Sequence, residues 1–371
     1  MKTLPILIIL SLVWSAGITF SQQTDSPVDK KSLMDSRWPE SKARAYMEPL
    51  GVIKGCNFVP SYCKSPMQHF IDFREDIIRR ELGYARNAGL NSIRLWIPCF
   101  AWQNDRETFY RTLDKYLALC DENGLTVMAT LTCYSIKTDT FGRKLEVRPQ
   151  RFYSGVHIQP LEIEGLHGRN NNDWPVIKAY YQEITSRYSG NRTIIIWDLY
   201  NEAWEKDREL QEHLFAWVRE VNPRQPITAC WGAHDFSDII TFHTYQPPGG
   251  KKRDELQGLL SFEEEIDYAL SYNRPVLCTD WLARTFGNNF QNVLPIFAAN
   301  QIGFYFWGLV AGSGQYRFPW NWPEGAPEPY LWFHEILYPD GEPYKREEID
   351  RIKEFSFVKK SSPGKQVRTT F

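Results

Sequence analysis

The chain has 371 residues, with 43 basic and 45 acidic side chains and a formal net charge of −2. It has no long run of basic residues, so nucleic acid and anionic membrane surfaces are not favoured as partners. Aromatic residues make up 15% of the chain, which suits both a large core and a cleft where ring faces stack on sugars.

The first 21 residues have the pattern of an export signal peptide. Met1 and Lys2 form a basic start, residues 4–14 are almost wholly apolar, and small residues follow at 15–17 and at 21. The apolar run is too short for a comfortable membrane span, and no later stretch approaches the necessary length. We therefore expect a secreted or periplasmic protein without a membrane span. Residues 22–45 are polar and irregular, which predicts a flexible N-terminal segment.

Eight short apolar runs follow, each with the length and composition of a buried strand. They lie at 52–59, 92–98, 126–132, 194–200, 226–231, 238–245, 275–281 and 303–310. Amphipathic helical patterns lie between most of them or after the last, at 73–88, 110–123, 175–189, 207–221, 262–272, 289–299 and 346–356. The connection at 232–237 is too short for a full helix.

This alternation predicts an α/β fold, a closed (β/α)8 TIM barrel over residues 46–358 with a C-terminal tail at 359–371. An open doubly wound sheet is the alternative, but no Gly-x-Gly-x-x-Gly turn supports a nucleotide site. Two long connections, 133–174 and 311–335, are expected over the C-terminal face of the barrel, where active sites of this fold form. Of the seven cysteines, Cys56 and Cys63 are close enough in sequence to form a local disulfide.

Two predicted strands stop abruptly at a carboxylate flanked by aromatic residues. The run IIIWDLYNEAW at 194–204 contains Glu202, and RPVLCTDWLAR at 274–284 contains Asp280. A carboxylate at the C-terminal tip of a buried strand cannot stay in the core, so we expect both acids to line a cleft. Two such acids are what acid-assisted cleavage of a glycosidic bond requires. The alternative is that each acid caps the helix that follows it.

Further candidates for binding a substrate lie near the same ends of predicted strands or in the long connection. They are Arg94, Asn201, His243, Tyr245, Trp281 and Trp307, together with His157 from the 133–174 connection. Each strand of a barrel contributes one or two groups to a shared centre, so we expect these side chains to converge. A buried structural ion pair is the alternative for Arg94, and a satisfied core histidine is the alternative for His243.

The motifs WDLYNE (197–202), FHTY (242–245), CTDWLAR (278–284) and FWG (306–308) resemble those of clan A glycoside hydrolases, specifically the family 5-like, cellulase-like enzymes. The resemblance covers most of residues 50–355. It implies a hydrolase that acts on a polysaccharide or an oligosaccharide. It also implies that Glu202 is the general acid/base, that Asn201 binds the sugar 2-hydroxyl, and that His243 and Tyr245 orient the two acids.

Physical chemistry adds two expectations about this site. Trp197 and Trp204 would partly desolvate Glu202, which raises the pKa of a carboxyl and keeps it protonated for donation. Arg94 would hold the nucleophile ionised through a charge-assisted hydrogen bond.

The sequence departs from the family at the nucleophile, where Asp280 stands in place of the usual Glu. Aspartate is shorter by one methylene, so its carboxylate retreats by roughly 1.5 Å. Retaining enzymes hold their two carboxyls about 5–5.5 Å apart and inverting ones about 6.5–9.5 Å, and the gap here is predicted to reach about 6–7 Å. Three outcomes stay open: Asp280 attacks as a nucleophile, which is favoured, water fills the gap and the enzyme inverts, or catalysis is weakened and a carbohydrate-binding barrel remains.

A metal-dependent hydrolase on the same barrel is the remaining alternative. His157, His167, His234 and His243 are available as ligands, but no two of them have His-x-His or His-Glu-x-x-His spacing. We therefore expect a carbohydrate substrate and neither a metal nor another cofactor.

Overall fold

The computed structural model describes residues 27–64, 66, 68–132, 173–203, 205–250, 260–320, 322–323 and 325–358. Its centre is a parallel sheet of eight short strands. They are β1 (Lys54–Asn57), β2 (Ser92–Pro98), β3 (Thr126–Thr132), β4 (Ile194–Asp198), β5 (Ile227–Thr228), β6 (Ile240–His243), β7 (Val276–Asp280) and β8 (Gly303–Trp307). All eight fall within the predicted runs, and β5 is reduced to two residues.

The strands form one sheet in the order β5-β4-β3-β2-β1-β8-β7-β6, and every adjacent pair is parallel. The sheet curls so that its two edge strands, β5 and β6, approach each other. Across this seam the Thr228 and Thr241 hydroxyls lie 3.0 Å apart, and the Asp238 backbone N–H donates to the Ile227 carbonyl at 2.9 Å. The predicted (β/α)8 barrel is confirmed.

Helices surround the barrel and pack their apolar faces on the strands. They are α1 (Lys30–Asp35), α2 (Glu40–Met47), α3 (Glu75–Asn87), α4 (Cys99–Asn104), α5 (Arg106–Glu122), α6 (Trp174–Arg187), α7 (Arg208–Val221), α8 (Phe262–Ser271), α9 (Phe290–Asn300) and α10 (Arg346–Glu354). In α7, for example, Leu210, Leu214 and Val218 are buried at four-residue spacing. The short α4 was not predicted. Among the described helices none is both long and apolar enough to cross a membrane.

The flexible segment predicted at 22–45 is wrong from residue 30 onward, where α1 and α2 form. Leu33 of α1 is buried, and Lys30 pairs with Glu212 of α7 at 2.6 Å. Ala43 and Met47 of α2 join the apolar cluster at the N-terminal ends of the strands, so α2 closes the bottom of the barrel. Helices of six and eight residues with few apolar positions are too short for periodicity to reveal, and their stability comes from this packing.

Asp238 ties the seam between β5 and β6 to the N-terminal segment. Its carboxylate accepts hydrogen bonds from the backbone N–H groups of Trp38 at 2.8 Å and Ile227 at 2.9 Å. The guanidinium of Arg219 donates to both of its oxygens at 2.7 and 2.9 Å. The side chain of Asp238 is fully buried, so this one charge holds together a strand, a helix and the arm that precedes the barrel.

The suggested Cys56–Cys63 disulfide does not form. Both residues are free and buried in the structure. Each therefore acts as a small apolar side chain in the core.

Asp238→Ala should lower the free energy of unfolding by about 3–5 kcal/mol, because a largely buried guanidinium and two N–H groups lose their acceptor. Urea denaturation measures this loss, with the free energy of unfolding depending on urea concentration with the same slope in variant and wild type. The control is Glu342→Ala, which removes a pair with Arg346 in which both side chains are more than 70% exposed. That change should cost less than about 1 kcal/mol. Equal losses in the two variants would contradict the role given to Asp238.

Candidate active site

The candidate residues come together at the C-terminal mouth of the barrel. His243 and Asp280 are the last residues of β6 and β7, and Glu202 lies four residues beyond the end of β4. Parallel strands present their carboxyl ends on one side of a barrel, so these tips face a common space. One carboxylate oxygen of Glu202, one of Asp280 and one ring nitrogen of His243 all lie within 4.8 Å of one another.

Arg94 occupies the barrel interior beneath these groups and is fully buried. Its Nε and Nη2 atoms donate to Oδ2 of Asp198 at 3.1 and 2.6 Å, and Nη1 donates to Oδ1 of Asn57 at 2.9 Å. Nη2 also donates to Oδ1 of Asn201 at 2.7 Å, and the Thr130 hydroxyl donates to Asp198 at 3.1 Å. A buried ion pair is tolerated only with such additional hydrogen bonds.

The predicted hydrogen bond from Arg94 to the nucleophile is therefore wrong. The guanidinium donates to Asp198 instead, which is the buried ion pair given above as the alternative. Burial lowers the pKa of Arg94, but the negative charges of Asp198 and Asp280 outweigh it and the net shift is upward. Arg94 acts on Asp280 through its charge alone, and it orients Asn201 directly.

Glu202 sits on a strained backbone turn at the tip of β4. Its φ is 53°, in the left-handed region that non-glycine residues adopt only when their surroundings impose it. Its backbone N–H donates to the sulfur of Cys230 at 3.2 Å, beyond the end of β5. The carboxylate is about one third exposed, so it is the most accessible of the three groups.

Trp197 does not desolvate Glu202 as expected. The indole of Trp197 is fully buried on the outer side of β4, and its Nε1 donates to Gln225 at 3.2 Å. Successive residues of a strand face opposite sides, so Trp197 points away from the interior that Asp198 enters. Trp204 lies outside the described residues.

His243 connects the two acids. Its Nδ1 lies 2.8 Å from Oε1 of Glu202, 3.9 Å from Oδ2 of Asp280 and 4.0 Å from the Cys230 sulfur. Burial lowers the pKa of His243, but the Cys230 sulfur and the two carboxylates outweigh it and raise the pKa well above its ordinary value. The raised pKa favours a protonated imidazole, and its Nδ1 lies at hydrogen-bond distance from Glu202.

Asp280 is 5% exposed and accepts a hydrogen bond from the hydroxyl of Tyr245. Burial raises the pKa of its carboxyl to about 6, with Glu202 acting in the same direction and His243, Arg94 and the Tyr245 bond acting against it. Burial and the carboxylates also raise the pKa of Tyr245, so its hydroxyl keeps its proton and stays a donor. The ring of Trp320, from the 311–335 connection, packs edge-on against Tyr245 at 4.8 Å.

The two acids approach each other closely at the mouth of the barrel. One oxygen of Glu202 and one of Asp280 lie within 4.8 Å of each other. Their closest oxygens are thus no farther apart than the roughly 5–5.5 Å that separates the two carboxyl groups of retaining enzymes.

The two tryptophans predicted to bind substrate have different surroundings. Trp307 lies at the mouth, edge-on to Trp96 at 5.7 Å and to Tyr316 at 5.4 Å. Trp281 is fully buried among aromatic rings outside the barrel, including Phe290 of α9 at 5.0 Å. Its assignment to the site is wrong because it follows Asp280 directly, and alternate residues of a strand face opposite sides.

The remaining predicted residue, His157, lies outside the described residues. Several side chains that shape the site were missed: Asn57, Trp96, Thr130, Asp198, Cys230 and Trp320. A signal existed for Asp198, because a charge inside the otherwise apolar run IIIWDLY needs a buried partner. No local pattern marks Cys230, whose contact with Glu202 joins two connections of the barrel.

The donor atoms of Glu202, His243 and Asp280 are close enough to hold a metal ion if one were present. In the described structure two of these atoms are hydrogen-bonded directly, with Nδ1 of His243 at 2.8 Å from Glu202. The arrangement suits the sharing of a proton between an acid and a base.

A parallel barrel with two facing carboxylates at its C-terminal mouth is the architecture of a glycoside hydrolase. A family model described as Cellulase (glycosyl hydrolase family 5) matches residues 80–313, well over half of the chain. The chain belongs to this family. A search of curated proteins found no match.

Solved structures share the fold at low identity. The exo-beta-1,4-mannosidase Op5Man5 from Opitutaceae bacterium strain TAV5 is 17% identical with a TM-score of 0.53, and the match covers 81% of this chain and 59% of that one. This chain thus spans less than two thirds of that enzyme. GH5_18 from Streptomyces cattleya in complex with GlcNAc is 13% identical with a TM-score of 0.53, covering 82% of this chain and 79% of that one.

Cys230→Ala should lower kcat even under conditions in which the variant is fully folded. The Glu202 N–H loses its acceptor, which costs about 1 kcal/mol, and a carboxylate displaced by about 1 Å loses up to 10²-fold in rate. Cys230→Ser keeps an acceptor and should retain more activity. The control is Cys120→Ala in α5, a buried cysteine remote from the mouth, which should affect unfolding but not kcat. Equal kcat values for the two alanine variants would contradict this role.

Proposed function

We propose that this protein is a retaining glycoside hydrolase acting on β-linked hexosides, with Glu202 as the acid/base and Asp280 as the nucleophile. The observation that carries the proposal is the approach of these two carboxylates to within 4.8 Å at the mouth of the barrel. That spacing suits a double displacement, in which one carboxylate attacks the sugar while the other serves the leaving group.

In the first step an ionised Asp280 oxygen attacks the anomeric carbon and forms a glycosyl ester. The bond to the leaving oxygen breaks, and that oxygen takes a proton from Glu202. In the second step Glu202 accepts a proton from water, the hydroxide attacks the anomeric carbon, and Asp280 departs as a carboxylate. Burial disfavours the ionised form of Asp280. The ionised carboxylate is therefore a better nucleophile once the sugar has displaced water.

His243 is proposed to keep the required proton at the acid/base. Its raised pKa favours a protonated imidazole, and its Nδ1 lies 2.8 Å from Oε1 of Glu202, so His243 can pass a proton to the acid/base. When that proton passes to the leaving oxygen, the pair is left ready to accept one from water. Arg94 supports the same site by orienting Asn201, the side chain proposed to bind the 2-hydroxyl.

The sugar is proposed to be β-linked mannose or glucose. The matching family model is described as a cellulase, and one structural neighbour is an exo-beta-1,4-mannosidase. Another, a GH5_18 variant from Bifidobacterium longum subsp. longum, was solved with Manb1-4GlcNAc at 13% identity and a TM-score of 0.50, covering 81% of this chain and 77% of that one. Trp307 is the proposed platform for the sugar at the cleavage point, because it is the aromatic side chain of β8 that faces the mouth.

We also propose that the protein is exported, on the basis of the basic start and apolar run in residues 1–21. N-terminal sequencing of the protein recovered from the periplasm or medium would test this. An intact Met1 in protein retained in the cytoplasm would contradict it.

Glu202→Gln should lower kcat on β-mannoside or β-glucoside oligosaccharides by about 10²–10⁴-fold, because the leaving oxygen loses its proton donor. Asp280→Asn should remove turnover altogether. Proton NMR of the first product of wild type should show the anomer of the substrate. The control Glu205→Gln alters an exposed carboxylate in the same connection and should keep full activity. Inverted product, or an active Asp280→Asn variant, would contradict the assignment.

The acid limb of the pH profile of kcat/KM should report the ionisation of Asp280. Its pKa is raised to about 6, so activity should fall as the pH drops through that value and the nucleophile gains a proton. Tyr245→Phe removes a hydrogen bond that favours the ionised form, so the limb should move to higher pH. Tyr316→Phe is the control, since the Tyr316 hydroxyl has no hydrogen-bond partner among the described residues. A limb unmoved in Tyr245→Phe would contradict this account.

A further inference from the structure

A cysteine thiol lies beside the three titratable groups at the mouth of the barrel. Cys230 follows β5 by two residues and is buried, and its sulfur lies 4.0 Å from Nδ1 of His243. The proposed double displacement uses this sulfur only as the acceptor for the backbone N–H of Glu202. A sulfur, a ring nitrogen and two carboxylate oxygens therefore border one small space. We call these four side chains the mouth cluster: Cys230, His243, Glu202 and Asp280.

The donor atoms of the mouth cluster are of the kinds that zinc prefers. Zn²⁺ is bound by cysteine sulfur, histidine nitrogen and carboxylate oxygen, most often four at a time in a tetrahedron. Mg²⁺ and Ca²⁺ instead take six or more oxygen ligands. Soft thiolate ligands shift the preference of a site toward ions such as Zn²⁺ and away from magnesium and calcium. The chemistry of this set thus favours a thiophilic divalent cation, which includes Zn²⁺ and the softer Cd²⁺.

A tetrahedral ion would need only small movements around His243. The bond lengths of zinc place a nitrogen and an oxygen ligand about 3.3 Å apart, and a nitrogen and a sulfur ligand about 3.5 Å apart. Nδ1 lies 2.8 Å from Oε1 of Glu202, 3.9 Å from Oδ2 of Asp280 and 4.0 Å from the Cys230 sulfur. Each distance is within roughly 0.6 Å of its tetrahedral value. Glu202 is about one third exposed and has the most room to adjust.

The surroundings of the mouth cluster also suit a bound cation. The backbone N–H of Glu202 donates to the Cys230 sulfur at 3.2 Å, and a donor at this position stabilises the thiolate, which is the form that binds a metal. The cation beneath the cluster, Arg94, is paired with Asp198 at 2.6 Å, so an opposite charge offsets it. Because the carboxylate of Glu202 is accessible from the mouth, an ion has a path to the buried ligands.

An ion held by the mouth cluster would stop the proposed reaction at each of its participants. It would take the place of the proton on Nδ1 of His243. It would also occupy the Glu202 oxygen that serves the leaving group and the Asp280 oxygen that attacks the sugar. The thiol proton and the imidazole proton would pass to solvent, as they do when cysteine and histidine bind a metal.

We propose that the mouth cluster binds a thiophilic divalent cation and that the bound ion reversibly inhibits the enzyme. The ion is an inhibitor and has no part in the reaction. Cys230 is the ligand that makes the site selective for Zn²⁺ and Cd²⁺ over Mg²⁺ and Ca²⁺. The inhibition rests on the proposed function, whereas the binding of the ion does not.

Binding is tested without any substrate, by calorimetry with Zn²⁺ and by the near-ultraviolet charge-transfer band of a Cd²⁺–thiolate bond. Wild type should bind Zn²⁺ and show the band with Cd²⁺. Cys230→Ser should lose the band and bind Zn²⁺ about 10-fold more weakly or worse, since changing even a group that only supports a ligand costs about 10- to 100-fold in affinity. Glu202→Gln should weaken Zn²⁺ binding but keep the band, because the sulfur remains.

The control is Cys120→Ser, which alters a buried cysteine of α5 outside the mouth cluster and should leave the band and the Zn²⁺ affinity unchanged. A cadmium–thiolate band that persists in Cys230→Ser, or Zn²⁺ binding unaffected by both Cys230→Ser and Glu202→Gln, would overturn the metal site.

Inhibition is measured on a β-mannoside or β-glucoside that wild type cleaves, relative to the rate of each variant without metal. Zn²⁺ should inhibit wild type and Cys120→Ser alike, EDTA should restore the rate, and Mg²⁺ at the same concentration should have no effect. Cys230→Ser should need about 10-fold more Zn²⁺ or beyond for the same inhibition. Zinc binding that leaves an active wild type uninhibited would overturn the inhibitory role. Failure to cleave any of these glycosides would count against the proposed function, while the binding measurements still decide whether the metal site exists.

Discussion

The buried ion pair between Arg94 and Asp198 is the constraint on which the active site depends. Two charges inside a barrel are costly to desolvate, and they are tolerated here because Asn57, Thr130 and Asn201 complete their hydrogen bonds. The network spans β1, β2, β3 and the end of β4. It fixes the residue that precedes Glu202, and its positive end favours ionisation of the buried Asp280 above it.

Above this layer, one histidine allows two carboxylates to share a small space. Like charges at this distance disfavour each other's ionisation, and burial adds to that penalty for Asp280. His243 offsets it with a proton that lies at hydrogen-bond distance from Glu202, and Tyr245 offsets it with a donor to Asp280. The unequal exposure of the two acids fits the roles proposed for them, in which the more exposed Glu202 exchanges protons and the buried Asp280 attacks.

Much of the fold, and the positions of the two acids, could be predicted from local sequence patterns. The apolar runs located all eight strands, because a buried strand needs a continuous apolar stretch, and the acids at 202 and 280 stood out because a charge ends such a stretch. The two failures have different causes. Trp281 was assigned to the mouth by its neighbour in sequence, although adjacent strand residues face opposite sides. The helices at 30–47 were missed because contacts with the barrel, not their own periodicity, stabilise them.

The barrel, the order of its elements and the pair of acids could be predicted from the sequence, since strand and helix signals are carried by residues next to one another. Only the tertiary structure decided that Arg94 pairs with Asp198, that the Cys230 sulfur holds the turn at Glu202, and that the shorter Asp280 still reaches within 4.8 Å of its partner. Those facts depend on the register and curvature of strands far apart in the chain. A barrel closes through all of its strands at once, so no local segment encodes the distance across its mouth.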